Sequence, residues 1–327
     1  MITRVGEKST SSLESNLEGL ANVLEADMPN YKQRILQILC TCVTNLPEKA
    51  TIYSTLVGLL NEKNFEFGGE FLEMMMGNLK EVMAAGRFHR ARLMVRFLGD
   101  LINCNFVVPT ALITFLELLV KAATEPGIPQ ARTDWFIYTV LSALPWCGKQ
   151  LMEKVPEELN RLFETIEDRV AKRDKLHTKC LRVWSSDKPH PQEEYIDCLL
   201  AQLKTMKLDN WNDVHIRRPY QAFESVLVKA QPHPIPLIQI PIHTDVVTYP
   251  LPLVVFRMFD YADVADPDEK LIPGAHAIER FLVEETLWRI ICTHYKDRKE
   301  CANQLMNCSA RGKNFRYLNS CLVLICH

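Results

Sequence analysis

Cys292, His294, Cys301 and Cys308 are the nearest approach to a metal-ligand set in the sequence. Thiolates and imidazoles are zinc donors, but they must converge on one point. On a helix, residues two apart point about 200° from each other. Cys292 and His294 therefore cannot hold one ion while the helix persists, and Cys40 with Cys42 fails for the same reason. Ordinary buried thiols and a surface histidine are expected there, with no metal. The second cluster is cationic: Arg169, Lys172, Arg173 and Lys175, with Lys179 and Arg182 close behind. Such a run can neutralise RNA phosphates or direct nuclear import. It equally suits the C-terminal end of a helix, where the backbone dipole favours cations. His190 sits alone between Pro189 and Pro191, as a contact residue, a pH switch or a plain loop histidine. Arg169, Lys172, Arg173, Lys175 and His190 are the candidate partner or RNA contacts.

Nothing in the sequence sets a nucleophile beside a base. No phosphate loop is present, since Gly58 and the pair Gly68-Gly69 stand isolated in helical contexts. There is no Gly-x-Ser-x-Gly elbow and no His-Glu-x-x-His pair. No catalytic residue and no cofactor are expected, and the chain reads as a non-enzyme. Stacking nucleic-acid bases needs exposed aromatic faces. Trp135, Trp146, Trp184 and Trp211 fall at the expected starts or ends of helices and read as anchors between them. Met74, Met75 and Met76 read as core.

These residues belong to a chain of 327 residues, 47% hydrophobic and 24% charged, long enough for a sizeable core and about two domains. Its net charge of −2 gives no global field for nucleic acid. Only 12 glycines argue against a doubly wound α/β enzyme. Eleven scattered cysteines behind no secretory signal read as reduced, intracellular thiols. No apolar run reaches the roughly 18 residues of a membrane span.

Helical spacing dominates the first 230 residues. Ser12 caps a helix with Leu13, Leu17, Leu20 and Leu24 inward. Pro29 opens a second, with Ile35, Ile38, Leu39 and Cys42. After Pro47 comes one carrying Ile52, Leu56, Leu59 and Leu60. Further helices are expected over 66–85, with Gly86 as the stop, over 88–103, from Pro109 to before Glu125, over 132–143, and over 148–173 with an interruption at Pro156. The last of the series cover 191–207 and 219–230. Helical hairpins recurring every ~35–45 residues suit an all-α, HEAT-like solenoid. Residues 231–252 are rich in proline and read as an extended linker. The apolar run 253–260 is a short strand or a pinned segment, 265–274 a loop, and 276–295 a helix, with another starting near Asp297.

Between two of these helices lies a sharp elbow, Asp187 to Tyr195. Pro189 and Pro191 forbid a helix through them. Gln192, Glu193 and Glu194 then fit a first helical turn opened by Pro191.

Several stretches resemble the N-terminal part of the large subunit of the nuclear cap-binding complex. They include Val5–Ser9, Ser12–Leu20, Leu24–Asp27, Thr55–Leu59, Phe67–Phe71, Val95–Leu98, Asp100–Cys104, Leu141–Trp146 and the elbow itself. Arg257–Tyr261, Pro273–His276 and Ile278–Phe281 extend the match, which runs colinearly from about 5 to 307 and is lost in the tail. The resemblance implies a first domain of the MIF4G type, an armadillo-like helical solenoid. It implies a non-catalytic scaffold in the nucleus, shuttling to the cytoplasm. Its expected partner is a small RNA-recognition-motif subunit that stacks the 7-methylguanosine cap. Splicing, export, decay and transcription-termination factors would also dock, and capped RNA would be held only indirectly, with no membrane partner. The expected division is a MIF4G-type domain at 1–230, a Pro-rich linker at 231–274, the truncated start of a second helical domain at 275–308, and a non-matching tail at 309–327. The family's basic import tail has no counterpart at Met1–Arg4, and the match stops just inside a second domain, as in a short isoform or an incomplete gene model. The alternative to a cap-complex scaffold is a truncated interaction module that binds RNA-processing factors without forming that complex. A weaker third reading is direct RNA binding through the basic helix over 169–182.

Overall fold

Ser12 opens the first helix as expected: its backbone is extended and its Oγ accepts from the N–H of Ser15 at 3.1 Å. The helix, α1 (Leu13–Asn45), does not stop at Pro29. The proline kinks it instead, with Tyr31 at φ −129°, ψ 16°. A proline inside a helix removes one backbone bond and crowds the preceding turn. Here burial on both sides holds the halves together, since Leu17, Leu20, Leu24, Ile35, Leu36 and Leu39 are all in the core.

The structure, a computed structural model, describes residues 1–7, 12–174, 193–212, 216–244, 249–250, 254–255 and 297–310, with single positions at 290 and 294. The chain divides into two compact units: Met1–Asp174 with Leu203–Pro252, and Lys175–Gln202 with Leu253–His327.

In the first unit α1 is followed by α2 (Ala50–Lys63), α3 (Phe65–Ala84), α4 (Phe88–Asp100), α5 (Pro109–Ala122), α6 (Gln130–Lys154) and α7 (Pro156–Ala171). Helix α8 (Tyr195–Leu208) enters the unit at Leu203, and α9 (Glu224–Leu227) follows. Helix α1 packs on α2, α2 on α3, α3 on α4, α4 on α6, α5 on α6 and α6 on α7, so this unit is all-α, as the periodicity predicts. Three local expectations fail. Residues 219–230 form a 3-10 turn (Pro219–Phe223) and the single turn α9, not one long helix. The helices expected over 132–143 and from 148 are one, α6, which runs through Pro145. The helix continues because its turns are fully covered: Leu141, Ala143, Leu144 and Cys147 are completely buried. For the same reason Trp135 and Trp146 are mid-helix core residues rather than helix-end anchors.

A polar seam crosses this core. Arg92, Arg96 and Asp100 recur at every fourth position of α4, one face of a helix, and all are buried. The Arg92 guanidinium lies 5.1 Å from the Tyr138 ring centroid. That of Arg96 lies 4.6 Å over Trp146, and its Nη2 donates to the Pro47 carbonyl at 3.3 Å. Asp100 accepts from Ser54 Oγ and from Asn103 Nδ2, the latter at 2.9 Å. Burial pushes its carboxyl up to about 6, against the pull of those two hydrogen bonds and of Arg218 and Arg96.

The Pro-rich stretch 231–244 is extended but does not hang free. His233 bridges in parallel to Val107, donating from its N–H to the Phe106 carbonyl at 2.7 Å and accepting from the Val108 N–H at 3.0 Å. Arg132, fully buried, donates to the Pro241 carbonyl at 2.9 Å and to the Tyr249 hydroxyl. The stretch is thus a strap along the first unit.

In the second unit, Glu193–Glu194 pair antiparallel with Val254–Val255. Glu193 and Glu194 are therefore strand residues rather than the first turn of a helix, and the apolar run after Leu253 supplies their partner strand. Helix α10 (Arg298–Ala310) is capped by Asp297, whose Oδ1 accepts from the N–H groups of Lys299 and Glu300 at 3.1 Å. Residues 187–192 of the elbow lie outside the described residues.

Candidate partner-binding surface

Helix α7 carries the first part of the predicted basic cluster. Pro156 starts it and Glu157 and Glu158 fill its first turn. Leu159, Leu162, Phe163, Ile166 and Val170 face the core. Arg169 is half-buried in the last turn and Lys172 is exposed just beyond it, where Lys172 pairs with Asp168 at 2.7 Å.

Arg173 points the other way. Its Nε and Nη2 donate to the two carboxylate oxygens of Asp134 at 2.6 and 2.9 Å, and both side chains are 2% exposed. This is a buried bidentate pair, tying the end of α7 to the first turns of α6, and it removes Arg173 from the surface. Gln130 reinforces the junction, with Nε2 donating to the Asp174 carbonyl at 2.8 Å and Oε1 accepting from its N–H at 2.9 Å. Spacing on α7 alone cannot reveal this, because the acid lies on another helix. Lys175, His190 and Trp184 lie outside the described residues. Of the cysteine–histidine set, Cys292 does too, and Cys301 is buried in α10. Among the described residues no cluster of histidine, cysteine and carboxylate side chains is arranged to hold a metal ion, and no helix is long and apolar enough to cross a membrane.

Sequence reasoning passed over a cleft of about 830 Å³ in the first unit. One wall is the C-terminal part of α6, with Lys149, Met152 and Glu153; the other is the chain around Trp211, Arg218 and Tyr220. The second wall begins with two consecutive left-handed residues, Asn210 at φ 52° and Trp211 at φ 57°. Left-handed backbone costs on the order of 1 kcal/mol or more for a residue with a Cβ. That turn ends α8 and drives the Trp211 ring into the core, 2% exposed. The ring presses so close to Gly148 that a Cβ there would overlap it. Only Gly148 lets α6 accept the indole. Arg218, half-buried, donates through Nη1 to the Tyr220 hydroxyl at 3.1 Å. Among the described residues it makes no ion pair, and neither does Lys149.

An all-α stack of packed helices with buried polar ties defines a helical solenoid-type protein. Residues 1–207 match the MIF4G domain family, and the chain belongs to it. It is also similar over nearly its whole length to proteins called nuclear cap-binding protein subunit 1. It is 52% identical to that of Xenopus tropicalis over 313 residues, 96% of this chain and 39% of the relative. To that of Homo sapiens it is 51% identical over 319 residues, 98% of this chain and 40% of the relative. To that of Gallus gallus it is 51% identical over 313 residues. The chain thus spans about two fifths of the length of these relatives.

Proposed function

We propose that this chain is a non-enzymatic scaffold of a nuclear cap-binding complex. In this reading it supports a small RNA-recognition-motif subunit that holds the 7-methylguanosine cap, and it links capped RNA to splicing, export and decay factors in the nucleus, with shuttling to the cytoplasm. One observation carries the reading: 51% identity across 98% of the chain to nuclear cap-binding protein subunit 1. The helices of the first unit serve as the platform, and the strap lying along them adds an edge. Arg169 and Lys172 are the cations of the predicted cluster left for partner or RNA contact, alongside Lys175 and His190.

The test is retention on 7-methylguanosine resin. The chain should be retained only when co-expressed with the small subunit, and free cap analogue should elute the two together. If they fail to associate at micromolar concentration, the cap-complex role fails for this chain. The interaction-module reading would then take its place.

A further inference from the structure

The strap along the first unit leaves one backbone edge open. It meets the body at two points of the same parity. His233 turns both its N–H and its carbonyl to the chain at Phe106 and Val108, and Pro241 turns its carbonyl to Arg132 at 2.9 Å. Consecutive residues of an extended chain direct their N–H and C=O groups to opposite edges. The even-numbered residues from 234 to 242 therefore direct theirs away from the body. The prolines agree: Pro234 and Pro236 fall on the outer edge, where strands place a residue that has no N–H. After them come Ile238, Ile240 and Ile242. Among the described residues, the backbones of these three isoleucines make no hydrogen bond.

An open edge is a template for another strand, and the side chains say which strand. Isoleucine at 238, 240 and 242 is symmetric about 240. An antiparallel twin centred there sets Ile240 opposite its own counterpart and Ile238 opposite Ile242, in both directions. Each of the three outward N–H groups then meets a carbonyl. The isoleucines of both copies share one face of the ribbon, where β-branched cross-strand pairs are stabilising. No charge opposes the pairing, since no Lys, Arg, Asp or Glu stands between Lys229 and Asp245. Ile242 is 85% exposed and so is open to a partner. We propose that the strap is a self-association edge: two copies of this chain pair antiparallel through residues 238–242, about a twofold axis at Ile240. Such a contact uses the same patch on both copies and closes on itself. So short an edge falls well below the roughly 800 Å² per partner of a stable interface, so the dimer is weak and forms as concentration rises.

Analytical ultracentrifugation of the full chain, from micromolar to submillimolar concentration, is the first test. The chain should pass reversibly from monomer to dimer. Ile242→Lys, at an exposed position, should weaken the dimer roughly tenfold or more, because an edge lysine opposes strand pairing. Its thermal melt should match the parent. The register is read by crosslinking introduced cysteines with diamide. The Cα atoms of a hydrogen-bonded antiparallel pair lie about 5.5 Å apart, within the span of a disulfide. Ile240→Cys should therefore give a covalent dimer above the parent's background. Leu237→Cys, also at an exposed position, lies roughly 20 Å from its counterpart in this register and should not. Retention of Ile242→Lys with the small subunit on cap resin should equal the parent's, so failure of the scaffold reading and failure of this edge are told apart. A chain monomeric at every concentration overturns the inference and leaves the edge to a strand of another protein. A dimer indifferent to Ile242→Lys, or one that crosslinks equally through Leu237→Cys, overturns it as well.

Discussion

Asn61 grips the strap with both ends of its side-chain amide. Its Nδ2 donates to the carbonyl of Gln231 at 3.0 Å, and its Oδ1 accepts from Nε2 of His233 at 2.7 Å. That geometry fixes the imidazole as the tautomer protonated at Nε2. Phe65 stacks on the same ring, centroids 4.1 Å apart and planes 19° from parallel. Gly68 leaves the space: a Cβ there would overlap Asn61 Oδ1 and come within 2.7 Å of His233 Nε2.

Replacing Asn61 by Ala therefore leaves a buried imidazole N–H without an acceptor and frees the Gln231 carbonyl. The expected loss is about 2–4 kcal/mol, one buried unsatisfied donor plus one lost hydrogen bond. Urea unfolding of the variant and the parent measures it. A loss under about 0.5 kcal/mol, the ordinary range of a surface substitution, would mean that the strap is held elsewhere.

The imidazole also sets a pH response. Burial holds His233 below its ordinary value of 6.5. With the folded value depressed, the unfolded chain takes the proton first, so protonation favours unfolding. The neutral ring's contribution is complete above 6.5 and declines as pH falls through the folded value. His233→Gln removes the titrating group. The stability of the parent relative to this variant should fall on acidification from pH 7 and stay level above it. Melting curves of both proteins across that range decide the matter; a parallel response would contradict the buried neutral ring.

The helices are legible in the sequence because their apolar faces repeat at 3.6 residues and Ser12 caps the first of them; the cap at Asn64 is visible only in the structure. The failures have one cause. Pro29 is expected to open a new helix and a gap is expected between 143 and 148, but burial on both sides carries α1 through Pro29 and α6 through Pro145. Distant partners are hidden in the same way. Nothing around Gly68 announces His233, some 165 residues away, and nothing on α7 announces Asp134. Arg173 thus counted as a surface cation when it is a core tie. The cleft is hidden too, because it is assembled from α6 and a left-handed turn that two non-glycine residues make.

Asp100 responds to pH in the opposite sense from His233. Its carboxyl is raised from 3.8 to about 6, chiefly by burial, so the folded state holds the proton more tightly than the unfolded one. Stability from this group is complete below 3.8 and is lost as pH rises through about 6. Asp100→Asn removes the ionisation. It remains compatible with its neighbours, because Ser54 Oγ can donate to the Thr51 carbonyl at 3.0 Å and accept from the new amide. Relative to the parent, the variant should gain on the order of 2–3 kcal/mol between the two ends of that range. Chemical denaturation at several pH values reads the gain, and a constant difference would show that the carboxyl does not titrate there.

The same methods separate the two kinds of cation at the end of α7. Arg173 and Asp134 are a desolvated pair, and removing one partner strands the other charge in the core. Arg173→Ala is expected to cost about 3–5 kcal/mol, and Asp134→Ala a similar amount. The double substitution should cost much less than their sum, because each single change already breaks the pair. Lys172, exposed and paired with Asp168 one turn away, should cost no more than about 0.5 kcal/mol on replacement by Ala. Arg169→Ala, at a half-buried position with no buried acid paired to it among the described residues, belongs with Lys172. RNA binding of the Arg169 and Lys172 variants then reports on the surface alone. Loss of binding in Arg173→Ala counts only where its fold survives. Equal destabilisation by Lys172→Ala and Arg173→Ala would refute the division of the cluster into one core tie and a solvated remainder.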